Sequence, residues 1–224
     1  MTLIIQYLQN RISSQPTHDL YHALAILLLF TTTSCQPTDT YEVRYKECFK
    51  NVTAVEFEIE GSTKKGVGYS GFDPQCLVGA PLPDFSVADI NGKTITTKNL
   101  LGKVTVINFW FIKCAPCIAE IPDLNSIVNK FGEQKVNYLA FSKDAEPTIK
   151  EFLKTNTFLF QHIPNDKATI EESFRLMWGY PSTMVVDREG RIVEIFRGAK
   201  LKSDPSVNVT VAVDSLLMVL LSKE

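Results

Sequence analysis

The four residues Cys114-Ala115-Pro116-Cys117 constrain the fold of this chain more than any other segment. They follow Val104 to Phe111, a run apolar but for Thr105 and Asn108, with the length and β-branched content of a central strand buried on both faces. A helix is expected to start at the cysteines and run to about Phe131. Two cysteines on the first turn of such a helix bring their sulfurs within bonding distance. Unpaired N–H groups at the helix start carry partial positive charge and favour a thiolate on the first cysteine. Cys114 is therefore the predicted nucleophile, and Cys117, lying deeper, the predicted resolving thiol. Lys113 adds positive charge beside them, and Pro116 takes an early helical position where its missing N–H is not needed.

The segments around this motif alternate. A hairpin turning at Asn91-Gly92 comes before the central strand; Val136 to Ser142 reads as a strand, Glu146 to Asn156 as a helix, Phe158 to Ile163 as a short strand and Ala168 to Leu176 as a helix. After Pro181, Thr183 to Asp187 and Arg191 to Phe196 form two strands around Arg188-Glu189-Gly190, whose glycine permits a tight turn, and Asp214 to Ser222 closes as a helix. Strands alternating with helices, then a hairpin and a final helix, predict an α/β fold: a mixed central β-sheet flanked by helices over residues 79–224. Upstream, Val55, Phe57 and Ile59 alternate with Glu56, Glu58 and Glu60, Gly61 to Gly66 offers a turn, and Val67 and Tyr69 begin a returning strand. Residues 35–78 thus read as a tether, from 36 to 40, and a small N-terminal β-rich extension with one buried strand face.

The first residues differ in composition. Leu20 to Phe30 is almost wholly apolar between polar, threonine-rich flanks, which suits the apolar core of an export signal over 1–34; the run falls short of the roughly 20 residues a spanning helix needs. The whole chain of 224 residues carries a formal charge of −2 and no long run of Lys or Arg, so it lacks the electrostatic footprint of a nucleic-acid binder. Cys35, after Thr32-Thr33-Ser34, resembles a bacterial lipoprotein cleavage site. Lipidation there would hold the chain to a membrane; a soluble exported form, and an uncleaved anchor or misassigned start, are the alternatives.

Of the five cysteines, Cys48 and Cys76 remain without a role. Export would permit a structural disulfide between them, and two separate buried thiols are the other reading. No metal site is expected: zinc needs about four ligands, there is no second Cys-X-X-Cys, His18 and His22 fall in the export signal, and His162 stands alone.

Asn108-Phe109-Trp110-Phe111-Ile112-Lys113-Cys114-Ala115-Pro116-Cys117, with Pro122 beyond it, resembles the active-site strand and helix of the TlpA/ResA-like members of the thioredoxin superfamily. Val78-Gly79-Ala80-Pro81 through Phe85 is similar to that group's entry segment, and Gly179-Tyr180-Pro181-Ser182-Thr183 to its cis-proline loop. The resemblance implies a thioredoxin fold and a cis Pro181; the substrate site is expected at Trp110, Tyr180 and Pro181, with Phe109, Trp110 and Trp178 lining its rim or the core beneath and packing the favoured reading for Phe109. Pro122, inside the helix, should kink it. Members of the group carry a glutamate three residues after the second cysteine, which maps to Glu120 as proton acceptor for Cys117, while Asn108 stands where thioredoxin has an acid.

By the same resemblance the chain is expected to be an exported thiol-disulfide oxidoreductase of the cell envelope or periplasm, of the bacterial lipoprotein type, needing no diffusible cofactor. It would reduce cysteine pairs of other exported proteins, in cytochrome c maturation or general disulfide reduction, and draw electrons from a membrane thiol-disulfide donor. Two alternatives stand beside this. A thiol peroxidase of the alkyl hydroperoxide reductase group expects a Thr near its cysteine, which Ile112-Lys113-Cys114 does not offer; a non-catalytic copper or partner-binding protein would use a distant His, and His162 sits in no matching motif.

Overall fold

The structure, a computed structural model, describes residues 39–58, 65–165, 168–200 and 208–222, and Asp39–Glu224 form one compact unit. The expected export signal, Cys35, tether residues 36–38 and the turn residues 59–64 lie outside the described residues.

The chain's central strand, β5 (Val104–Trp110), is buried at every residue. It is preceded by the hairpin of β3 (Ser86–Ala88) and β4 (Thr94–Thr96). It pairs in parallel with β6 (Val136–Ser142), which pairs in parallel with β7 (Gln161–Ile163). On its other side β8 (Ser182–Val186) runs antiparallel, followed by β9 (Ile192–Arg197), giving the order β7-β6-β5-β8-β9. Gly190, with φ of 81°, closes the β8–β9 turn while the Asp187 carboxylate accepts from the backbone of Glu189 and Arg191. This is the mixed sheet expected from the sequence.

Alternation along β5 sends Ile107 and Phe109 to one face and Asn108 and Trp110 to the other. The first face holds an aromatic cluster in which Phe85, Phe109, Phe141 and Phe174 contact one another at 5.1–5.7 Å between ring centres. Helix α2 (Ala115–Phe131) buries Cys117, Glu120, Ile121, Leu124, Ile127 and Val128, a stripe at helical spacing that places Glu120 on its inward side. It runs on through Pro122, whose carbonyl accepts from the Ser126 hydroxyl, and stops at Gly132. Helix α3 (Glu146–Leu153) follows β6, and α4 (Val209–Leu221) packs against α2, with Lys130 paired to Asp214 at 2.7 Å.

Several elements differ from the sequence reading. The extension is not simply β-rich: it opens with helix α1 (Tyr41–Phe49), capped by Thr40, before the hairpin of β1 (Thr53–Glu58) and β2 (Lys65–Ser70) and a 3-10 turn at Pro74–Leu77. Tyr41, Tyr45 and Phe49 recur every fourth residue, and Tyr41 and Tyr45 are buried, so the helical period is present before the alternating stretch. Asp39 and Thr40, assigned to the tether, belong to the fold, Asp39 bridging Arg44 and Arg191. Val55 is 46% exposed, so that position of β1 does not face the core. The segment read as a helix over Ala168 to Leu176 holds only a π-turn at Thr169–Ser173. α4 begins at Val209, earlier than Asp214, because burial of Val209 and Val213 in a helix packed on α2 outweighs their strand preference.

Candidate active site

Cys114 is the N-cap of α2, immediately beyond β5, and its Sγ accepts from the Cys117 backbone N–H at 3.3 Å. The two cysteines are joined in a disulfide, with Cα atoms 5.2 Å apart. Cys114 retains 6% of its surface and Cys117 1%, so the first cysteine is the less buried of the two. That asymmetry follows from position. The N-cap sits where the chain leaves the end of the central strand, whereas Cys117 belongs to the buried stripe of α2.

The turn that delivers Cys114 is held from below. Asp144 accepts the Ile112 N–H at 2.7 Å and the Ser142 hydroxyl at 3.1 Å, so the end of β6 fixes the end of β5. Asp144 was not singled out in the sequence; a carboxylate two residues past a neighbouring strand was its only signal.

One turn after Cys117, Glu120 is buried on the same helix face. Its Oε1 accepts from Asn108 Nδ2 at 2.8 Å, and the same amide donates to Thr183 Oγ1 at 3.1 Å, Asn108 and Thr183 being cross-strand partners of β5 and β8. Glu120 Oε2 and Asn108 Oδ1 are buried with no hydrogen-bond partner. Burial, partly offset by the Asn108 hydrogen bond and assisted by the charge of Asp123, raises the Glu120 carboxyl to about 7. A carboxyl with that pKa exchanges a proton near neutral pH. Thr183 was not recognised as part of this network, since only the strand register reveals it.

The Tyr180–Pro181 peptide is cis, and Pro181 is buried at the start of β8. Tyr180 is half-buried, its ring edge-on to Phe111 at 5.4 Å and beneath the Lys143 ammonium at 4.5 Å. Trp110 is not at this rim, contrary to the sequence reading. It has no exposed surface and packs on Phe152, Phe158 and His162. The parity of β5 decides this, because Trp110 shares the inner face with Asn108. Phe109 is core, and Trp178 stacks on Phe72.

Cys48 and Cys76 form a second disulfide, distant in sequence from the first, with Cα atoms 5.8 Å apart. Among the described residues no cluster of three or more His, Cys, Asp or Glu side chains is arranged to hold a metal ion. No helix among them is long and apolar enough to cross a membrane.

Residues 78–195 match the AhpC/TSA family. The thiol-disulfide oxidoreductase ResA of a Bacillus cereus strain is 32% identical over 138 residues, covering 60% of this chain and 79% of the relative. A crystal structure from Chlorobium tepidum, described as a thiol:disulfide interchange protein DsbE, superimposes with a TM-score of 0.56 at 21% identity, over 64% of this chain and 97% of that one. The thioredoxin domain of a thiol-disulfide oxidoreductase from Bacteroides vulgatus gives 0.50 at 24% identity, over 63% and 94%. Sheet order, helices and these neighbours together establish a thioredoxin fold.

Proposed function

The chain belongs to the AhpC/TSA family and, with its ResA relatives, is a thiol-disulfide oxidoreductase; from that premise we propose that Cys114 and Cys117 are its exchanging cysteines and Glu120 their proton acceptor. The observation that carries this is the placement of the less buried cysteine at the α2 N-cap, with the more deeply buried one and a carboxyl behind it on one helix face.

In the reducing direction the Cys114 thiolate attacks one sulfur of a substrate disulfide. A mixed disulfide forms and the first substrate sulfur leaves as a thiolate. The Cys117 thiol then gives its proton to Glu120 and attacks Cys114 Sγ, the second substrate thiolate departs, and the Cys114–Cys117 disulfide closes. Two electrons pass from the enzyme dithiol to the substrate. The Cys117 N–H on Cys114 Sγ and the unpaired amides of the helix start favour the attacking thiolate. Asn108 steadies the ionised Glu120 by donating to it, which burial alone would oppose. Tyr180, packed on Phe111, and the cis Pro181 form the surface against which an extended substrate segment lies.

The substrates are cysteine pairs of other exported proteins, cytochrome c precursors among them. Residues 1–34 serve as the export signal and Cys35 as the lipid attachment point, with residues 39–78 an extension of the thioredoxin-like part from 79 to 224. A membrane thiol-disulfide donor returns the electrons. This wider setting is supported by the apolar run Leu20 to Phe30 followed by Cys35 and by the resemblance to the TlpA/ResA group. Insulin reduction by the full chain, compared with Cys114→Ser, tests the exchange; finding Cys35 unmodified in protein isolated from bacterial membranes would remove the lipid anchor.

A further inference from the structure

We propose that helix α1, clamped by the Cys48–Cys76 disulfide, is a positioning element for the substrate loop 178–181, and thereby sets the affinity of the Cys114/Cys117 pair for protein and peptide partners. The inference rests on the exchange reading above and adds to it a role for the extension.

The loop is entered through 174–177, a segment without helix or strand, in which Arg175 has φ of 49° and is followed by Gly179 at 96°. What holds this entry is α1. The Tyr41 hydroxyl donates to the Phe174 carbonyl at 2.6 Å in a buried contact, and the Tyr45 hydroxyl reaches Met177 Sδ at 2.9 Å. The Arg175 guanidinium pairs with Glu42 at 2.9 Å and lies over the Tyr45 ring. Trp178 then stacks on Phe72 with ring centres 5.5 Å apart and planes 5° from parallel, and Phe72 leans on both Tyr45 and Phe49. Thus Phe174, Arg175, Met177 and Trp178 each rest on α1 or on Phe72, four residues before Cys76.

A nine-residue helix is marginal alone. The disulfide supplies the missing constraint by tying Cys48, in the last turn of α1, to the 3-10 turn at Pro74–Leu77, and Gln75 of that turn donates to the Ile195 carbonyl of β9. The clamp is outside the reacting centre. A loop held before binding loses less conformational freedom when an extended chain pairs with it, so loosening α1 weakens binding and leaves the sulfur chemistry alone.

The test uses the full, disulfide-bonded chain in single turnover with a reduced peptide carrying two cysteines, which becomes oxidised as Cys114–Cys117 becomes a dithiol. Half-saturating peptide concentration and limiting rate are measured for wild type, Tyr41→Phe and Cys48→Ala/Cys76→Ala, beside the rate with dithiothreitol and the Cys114/Cys117 reduction potential. We expect half-saturation to rise at least threefold in both variants, with limiting rate, dithiothreitol rate and potential unchanged. Unchanged half-saturation in folded Tyr41→Phe would overturn the inference even if the double variant fails to fold. So would a parallel change in dithiothreitol rate and potential. If wild type exchanges with this peptide in neither direction, neither the disulfide-bonded chain with the reduced peptide nor the reduced chain with the peptide disulfide, the exchange reading falls first and this inference with it.

Discussion

Asn108 and Glu120 meet through a buried 2.8 Å hydrogen bond from Nδ2 to Oε1, joining the central strand to the helix that begins at Cys114 and carries Cys117. The amide stands on the strand where an acid would compete with Glu120 for the same proton. Asn108 itself cannot take a proton, so Glu120 is the titrating member of this pair.

That carboxyl makes stability depend on pH. Its pKa is about 7 in the fold against an ordinary 4.5, so the stability it contributes is complete below pH 4.5 and is lost as pH rises through 7. Glu120→Gln has no such loss. Relative to the variant, the disulfide-bonded wild type should lose about 3 kcal/mol between pH 4 and pH 8, at about 1.4 kcal/mol per pKa unit. Urea denaturation of both proteins across that range measures it; a constant difference would mean that Glu120 titrates normally.

Removing the amide should push the same titration further up. In Asn108→Ala the hydrogen bond that lowers the Glu120 pKa is gone while most of the burial remains. The acid limb of the exchange rate against pH should therefore move to higher pH than in wild type, and stability should fall by about 1–3 kcal/mol from the unpaired Oε1. An acid limb at the wild-type position would separate Glu120 from the rate.

Much of this arrangement was legible before any coordinates. The mostly apolar run Val104 to Phe111 and the early proline located β5 and the start of α2, and the three-residue step from Cys117 put Glu120 on the inward helix face. Trp110 was misplaced because an aromatic residue at a strand end serves rim or core equally well until the parity of the strand is tied to Asn108. The hydrogen bond to Thr183 depends on a pairing 75 residues apart, which no local pattern carries. Helix α1 was overlooked because the alternation after residue 54 drew the whole extension into one class, although Tyr41, Tyr45 and Phe49 already showed a helical repeat. Likewise, α4 opens on β-branched residues whose helical state comes from packing on α2.

The second disulfide should matter to the whole fold as well as to the substrate loop. It closes a loop over a sequence separation of 28, and loop-closure entropy makes its loss worth about 3–4 kcal/mol. Cys48→Ala/Cys76→Ala should show this loss in denaturant. A much smaller change would mean that the extension docks firmly without it.

Peroxide chemistry can be separated from disulfide exchange directly. Ile112 and Lys113 precede Cys114, and the helix turn supplies both partners of the disulfide. The reduced chain is expected to consume hydrogen peroxide far more slowly than it reduces insulin. Peroxide turnover outpacing insulin reduction would reassign the site to a peroxidase.

Trapping the intermediate tests the division of labour between the two sulfurs. Cys117→Ala should accumulate a mixed disulfide between Cys114 and a disulfide-containing peptide, visible by mass spectrometry under non-reducing conditions, and Cys114→Ser should form none and reduce no insulin. Insulin reduction persisting in Cys114→Ser, or trapping at a cysteine other than Cys114, would contradict it.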